Sequence, residues 1–86
     1  MRKPRILVVG SFVMDHIAAT RVFPREGQTV LGESFSKAPG GKGANQAVQA
    51  ARLGADVTMI GKLGQDSNGD ELLRVCRAAG VNVDQV

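Results

Sequence analysis

Short apolar runs alternate along this chain with segments that repeat apolar residues at helical spacing, and few folds accommodate that order. The runs Ile6–Val9 and Val57–Ile60 are rich in β-branched residues, and a glycine follows each of them, Gly10 and Gly61. Their length, composition and glycine stops favour strands, and the first run is typical of a strand buried on both faces at the centre of a parallel sheet. A third extended segment begins at Val81.

Two stretches between these runs have the pattern of amphipathic helices, predicted near Ala44–Leu53 and Ser67–Ala79. Asp66 is a suitable N-cap for the second helix, and Gly54 and Gly80 are placed to end the two helices in a left-handed conformation. Strands that alternate with helices of this length imply right-handed crossovers and a parallel sheet with helices outside it. The sequence therefore predicts an α/β fold.

Residues 17–37 interrupt that alternation. The segments Ile17–Val22 and Thr29–Lys37 tolerate a β conformation, and the turn-forming sequence Pro24–Gly27 separates them. Alternate residues of the segment Thr29–Lys37 would share one face of a strand, and they are not consistently apolar. We expect a small hairpin that projects from the main sheet.

Size and composition limit the possibilities further. A chain of 86 residues forms one domain at most, and a chain of that size buries only about 60–65% of its unfolded surface. Three strands and two helices would leave an open sheet edge and little core, so residues 1–86 are predicted to be the first part of a larger domain. Cys76 is the single cysteine, which excludes a disulfide scaffold and a zinc site built on several thiolates.

Charge and hydropathy exclude two classes of partner. The net charge of +3 is scattered, and the only aromatic residues are three phenylalanines, so nucleic-acid binding is not expected. No segment approaches the roughly 20 apolar residues of a membrane span. The apolar stretch Ile6–Met14 follows basic residues but contains Gly10–Ser11 and lacks a cleavage site, which argues against a signal peptide. We expect a cytoplasmic protein.

The glycine loop, residues 40–45 with the sequence Gly-Gly-Lys-Gly-Ala-Asn, is the densest candidate site. Its glycines allow a ligand to approach the backbone, and it leads into a helix N-terminus that attracts anions or polar oxygens. Lys42 adds a cation, and Asn45 adds a donor and an acceptor. The alternative is a glycine turn that only starts a helix. A nucleotide P-loop is excluded because Ser36 stands where a glycine is required and Gly43 follows Lys42.

Asp15 is the second candidate, placed just past the end of the first predicted strand, where open α/β sheets bind ligands. Its carboxylate can accept two hydrogen bonds from vicinal hydroxyls, which suits a sugar. A solvated loop aspartate is the alternative. The neighbouring His16 is interpreted as a surface or satisfied loop histidine, and Cys76 as part of the core.

Together these residues resemble the N-terminal part of the ribokinase family of sugar kinases, which includes phosphofructokinase-B-type enzymes. The constrained positions of the family's first signature are matched by Gly40, Gly41, Gly43, Asn45, Ala47, Gly54 and Gly64. Gly10–Ser11 followed by Asp15–His16, and the run Gly64-x-Asp66-x-x-Gly69, also stand where the ribokinase branch has them.

The resemblance implies ATP-dependent phosphorylation of a sugar hydroxymethyl group, with ribose converted to ribose 5-phosphate as the first choice. It implies a large α/β domain, a small β-sheet lid at residues 17–37 and a homodimer formed through the lid. The residues that it assigns to the sugar are Asp15, Gly41, Lys42, Gly43, Ala44 and Asn45. Val13 departs from the asparagine usual in ribokinases, and this puts ribose itself in question.

The resemblance places the catalytic base, ATP, Mg²⁺ and a monovalent cation in a later part of the family's chain. No catalytic residue or metal ligand is therefore predicted within these 86 residues, and the segment alone is expected to be inactive. A nucleoside kinase or another sugar kinase of the same family, and a non-catalytic sugar-binding or dimerisation module, remain alternatives. A downstream Gly-Ala-Gly-Asp segment would decide for the enzyme.

Overall fold

The structure is a computed structural model that describes residues 3–86. The elements follow one another as β1 (Arg5–Val9), β2 (Val13–Ala19), β3 (Ser34–Gly40), α1 (Lys42–Arg52), β4 (Asp56–Ile60), α2 (Ser67–Ala78) and β5 (Asn82–Gln85). Strands β1, β4 and β5 form a parallel main sheet in the order β1-β4-β5, and β2 and β3 form a separate antiparallel small sheet. The predicted α/β architecture with a small additional sheet is confirmed.

The core lies between the main sheet and the two helices. Alternate residues of β4, Val57 and Met59, are fully buried, and Val8 of β1 and Val83 of β5 point the same way. Helix α1 packs on β1 and β4, and α2 packs on β5. Cys76 of α2 is 2% exposed within this core, as predicted. Neither helix within residues 3–86 has the length and apolar character that a membrane span requires.

The helix ends follow the predicted capping chemistry. The Asp66 side chain accepts a hydrogen bond of 2.8 Å from the Gly69 amide at the start of α2. Gly54 and Gly80 follow the helix ends with φ angles of 101° and 91°, which L side chains rarely adopt. Helix α1 begins at Lys42, two residues before the predicted start, so Lys42 and Gly43 belong to its first turn.

The prediction that the first strand is central and buried on both faces is wrong for the described residues. Within residues 3–86, β1 pairs only with β4, and β4 occupies the centre of the main sheet. Leu7 is 60% exposed and Val9 is 73% exposed. Both helices cover the face to which Val8 belongs, so nothing in this part of the chain covers the opposite face.

The hairpin is confirmed as a unit outside the main sheet, but its predicted strand limits are wrong. Pairing runs from Val13 opposite Gly40 to Ala19 opposite Ser34, and residues 20–33 form the connection. The strands therefore extend towards the glycine loop instead of towards the turn. Pro39 is accommodated because a two-stranded sheet consists only of edge strands. Asp15 consequently lies within a strand and not in a loop after β1.

Candidate functional site

The two sheets meet where the end of β1 touches the start of α1. A Cβ on Gly43 would lie 2.9 Å from the Cα of Gly10 and 2.9 Å from the nitrogen of Ser11. A Cβ on Gly41 would lie 2.8 Å from the Ser11 carbonyl oxygen, and Gly41 has a φ of 98°. The Ala44 amide donates to the same carbonyl at 3.1 Å. The glycines of the loop are thus required for contact between backbones, in addition to any contact with a ligand.

Asp15 stands beside this junction. The carboxylate lies over Gly40, with Oδ2 3.3 Å from the position that a Cβ on Gly40 would take. The residue is exposed, and the hydrogen bonds and ion pairs found within residues 3–86 do not engage its carboxylate. Its oxygens therefore keep their capacity to accept hydrogen bonds from a ligand.

Val13 lies on the same face of β2 as Asp15, because residues two apart in a strand share a face. It pairs with Gly40 and is 42% exposed. An apolar surface thus borders the Asp15 carboxylate on the side of the glycine loop.

The remaining predicted site residues are distributed over the first turn of α1. Lys42 is exposed, Ala44 is buried in the core, and Asn45 is exposed. Ala44 therefore offers no side chain to a ligand, and its amide already donates to the Ser11 carbonyl. Asn45 borders an apolar groove of about 360 Å³ between α1 and α2, which neither Asp15 nor Lys42 lines. The structure brings Val13 and Asp15 together at Gly40, and Asn45 lines the groove that Gly40 also lines.

The electrostatics of the loop favour a polar or anionic ligand. Helix α1 has no side-chain cap, and no acidic residue occurs in its first turn. The positive end of its dipole and the Lys42 ammonium group are consequently not neutralised by a residue of the helix.

The resolved pKa shifts occur away from this junction. A hydrogen bond from Arg74 lowers the pKa of Glu71 on the exposed side of α2. Burial raises the pKa of the Cys76 thiol.

Residues 3–86 do not provide a metal site of their own. Among them, no three His, Cys, Asp or Glu side chains are grouped so that they could hold a metal ion. Mg²⁺ prefers oxygen ligands in octahedral geometry, and such a set is not assembled in this part of the chain. We derive no step through a metal.

The sequence interpretation missed a cluster formed by His16, Lys37 and Asn68. His16 lies in β2, with its ring edge-on to that of Phe35 at 5.7 Å between centroids. The Asn68 side chain lies within hydrogen-bond distance of both His16 and Lys37. No local pattern could reveal this cluster, because His16 and Asn68 are 52 residues apart in the chain.

Comparisons with known proteins agree on one family. Residues 3–86 match the pfkB family of carbohydrate kinases. The ribokinase of Bacillus subtilis is 53% identical over 79 residues, which cover 92% of this chain and 27% of that protein. The deoxyribokinase of Salmonella typhi is 42% identical over 81 residues, which cover 94% of this chain and 26% of that protein.

A solved structure supports the same assignment. The structure of Arabidopsis thaliana ribokinase complexed with ribose and ATP superposes with a TM-score of 0.84 at 34% identity, and the match covers 100% of this chain and 28% of that one. The present chain thus spans about a quarter of the length of the relatives that it matches. The family match over residues 3–86 and the agreement of both sheets and both helices with the ribokinase fold show that the chain belongs to the pfkB family of carbohydrate kinases.

Proposed function

We propose that these residues supply part of the sugar site of an ATP-dependent sugar kinase, with ribose as the first candidate substrate. The observation that carries the proposal is the unengaged Asp15 carboxylate over Gly40, beside a helix N-terminus that no side chain caps. The relatives support it, since they include proteins named ribokinase and one structure with ribose and ATP.

Each predicted site residue has a role in this proposal. Asp15 accepts hydrogen bonds from vicinal hydroxyls as an ionised carboxylate. Gly41 is partly exposed and can present its backbone to the sugar, whereas Gly43 is buried against Gly10 and completes the loop. Lys42 and Asn45 donate from the first turn of α1. Ala44 helps to shape the loop through the hydrogen bond from its amide to the Ser11 carbonyl, because its side chain is buried in the core.

The small sheet is proposed to act as the lid, which the resemblance assigns to residues 17–37. Its exposed apolar residues support contact with a second copy of the chain, since Ile17 is 49% exposed and Phe35 is 61% exposed. ATP, Mg²⁺ and a monovalent cation are proposed to bind parts of the enzyme that the family carries beyond these residues. The cytoplasm is the proposed location, in keeping with a chain whose single cysteine is a buried free thiol.

The substitution Asp15→Ala tests the proposal in the natural full-length chain that contains these residues. Hydrogen bonds to a charged group contribute about 2–3 kcal/mol, so the KM for the sugar should rise about 30- to 150-fold. The affinity for ATP without sugar should hardly change. Asp84→Ala is the matched control, because Asp84 is also an exposed strand aspartate but lies in β5, outside the small sheet. Unaltered sugar kinetics in Asp15→Ala would remove Asp15 from the site.

A sugar with fewer hydroxyls is a second candidate substrate, and Val13 is the observation that favours it. The apolar Val13 borders Asp15 where ribokinases usually carry an asparagine, and one relative is named deoxyribokinase. A panel of pentoses, deoxypentoses, hexoses and nucleosides should then rank another compound above ribose. Val13→Asn should raise the preference for ribose by about two- to tenfold, because the new amide would add one hydrogen bond to a ribose hydroxyl. A wild-type enzyme that already strongly prefers ribose would contradict this candidate.

A further inference from the structure

Asn68, the second residue of α2, connects the small sheet to the helical layer. The Lys37 ammonium group of β3 donates a hydrogen bond of 2.9 Å to Asn68 Oδ1. On its other side, Asn68 Nδ2 lies 3.4 Å from His16 Nε2 of β2. Within residues 3–86, no other side-chain hydrogen bond joins the small sheet to the helices or to the main sheet. One amide therefore bridges both strands of the small sheet.

The bridge requires one particular arrangement of donors and acceptors. Lysine can only donate, so the oxygen of the Asn68 amide must face Lys37 and its NH₂ group must face His16. The NH₂ group needs an acceptor, which the imidazole offers only when it is neutral and carries its proton on Nδ1. Protonated His16 cannot accept this bond.

Charged groups stand near the bridge on both β3 and α2. Lys37 lies directly opposite His16 in the strand register. On α2, Glu71 lines the same small cavity as Lys37 and Asn68, but it is bound by Arg74. Histidine is the side chain that changes charge between about pH 5 and 8, so the bridge should weaken towards the acidic end of that range.

The position of the bridge connects it to the candidate site. Asp15 and His16 are neighbours in β2 and point to opposite faces of the small sheet. The small sheet is also joined to the rest of the chain at residues 10–12 and at Gly41, whose backbone contacts Ser11, and Met14 and Pro39 line a small cavity together with the start of α2. The side-chain hydrogen bonds of the bridge add a restraint to these contacts.

We propose that Asn68 is a positioning residue which, through His16 and Lys37, holds the small sheet against α2, and that protonation of His16 releases the sheet. The latch, as we name these three residues, thereby determines where the Asp15 carboxylate stands relative to the start of α1. This consequence for the sugar rests on the proposed function, but the latch itself does not.

A distance measurement tests the latch without any activity. Spin labels are placed at Ala19→Cys in β2 and Arg77→Cys in α2, both exposed positions, in the natural full-length chain after other exposed cysteines are replaced. Asn68→Leu should raise the ratio of open to closed molecules about fivefold for each hydrogen bond lost. Gln65→Leu is the matched control, because Gln65 is an exposed amide just before α2 that takes no part in the bridge, and it should leave the distances unchanged.

The pH dependence separates a latch from a merely structural contact. The open fraction of the wild type should rise about fivefold between pH 8 and pH 5.5, as the bond to His16 is lost. Asn68→Asp should not open at low pH, because a carboxylate accepts bonds from both Lys37 and protonated His16. His16→Gln should also remain closed, since its amide oxygen accepts at either pH.

Each result decides the proposal. Distances in Asn68→Leu equal to those of the wild type, or a wild-type distribution that does not change with pH, would overturn the latch. A latch that opens while the sugar KM of Asn68→Leu stays within twofold of the Gln65→Leu value would overturn its link to Asp15. Absence of sugar phosphorylation in the wild type would refute the proposed function, and the distance measurements would still decide the latch.

Discussion

Gly43→Ala is the substitution that best tests whether the glycine loop is shaped by backbone contact. The new Cβ would meet the Cα of Gly10 and the nitrogen of Ser11, both at 2.9 Å. Neither atom belongs to a flexible side chain, so the start of α1 must move away from the end of β1. Asp15 is attached to the same junction through Gly40, and the displacement should therefore also reach the sugar site.

The expected loss of stability follows from two opposing effects. Overpacking at a site of this kind costs about 1–3 kcal/mol. Alanine is better than glycine in a helix by about 0.5–1 kcal/mol, and Gly43 lies in the first turn of α1. The net decrease in the free energy of unfolding should be about 0–2.5 kcal/mol.

Gly54→Ala is the matched control. No atom lies within 4 Å of its added Cβ, but its φ of 101° strains an alanine. A left-handed conformation costs about 1–2 kcal/mol, so the two variants should lose similar stability. Urea unfolding of the natural full-length chain measures that loss, and the sugar KM should rise only in Gly43→Ala.

Two results would refute this reasoning. If Gly43→Ala is more stable than the wild type by the full helix gain of about 0.5–1 kcal/mol, the backbone contact does not restrict residue 43. If both variants show the same sugar KM at equal stability, the loop contact does not determine the geometry of the site.

Asp66→Ala should lower the free energy of unfolding by about 1 kcal/mol, because it removes the acceptor for the Gly69 amide; an unchanged urea midpoint would contradict this. Burial raises the pKa of the Cys76 thiol, so the folded state retains its proton when the unfolded state has lost it. Stability should therefore fall above about pH 8.5, and Cys76→Ala should abolish that fall. A polypeptide of residues 1–86 alone should aggregate and phosphorylate no sugar, since Leu7 and Val9 are exposed on β1, whose outer edge is unpaired within residues 3–86. A monomer with a cooperative thermal transition, or measurable kinase turnover, would contradict that expectation.

The features that sequence predicted well are local ones. The apolar spacing of Leu72, Val75 and Cys76 determines which side of α2 is buried, and Asp66 caps the helix through a residue three positions away. The close succession of glycines in the loop predicted that a ligand can approach the backbone, and this stays a prediction. The structure shows instead a contact of the Gly43 backbone with that of Gly10.

The features that sequence missed depend on distant partners. Whether β1 is buried on one face or two depends on what covers Leu7 and Val9, and its own composition cannot reveal that. The limits of the hairpin depend on the register that pairs Val13 with Gly40 across the connecting segment, residues 20–33. Apolar and polar residues alternate only weakly in the predicted hairpin strands, so the sequence could not determine the register.

In the proposed latch, two kinds of attachment act together on the small sheet. The contact of Gly41 with Ser11 anchors the end of the small sheet nearest to α1, but rotation about that contact would carry Asp15 away from the helix. Asn68 restrains the face opposite Asp15 and so opposes that rotation. The first attachment is made of backbone atoms, whereas the second depends on an acceptor nitrogen of His16. We therefore expect the backbone geometry near the glycine loop to stay constant, whereas the distance of the small sheet from α2 can change.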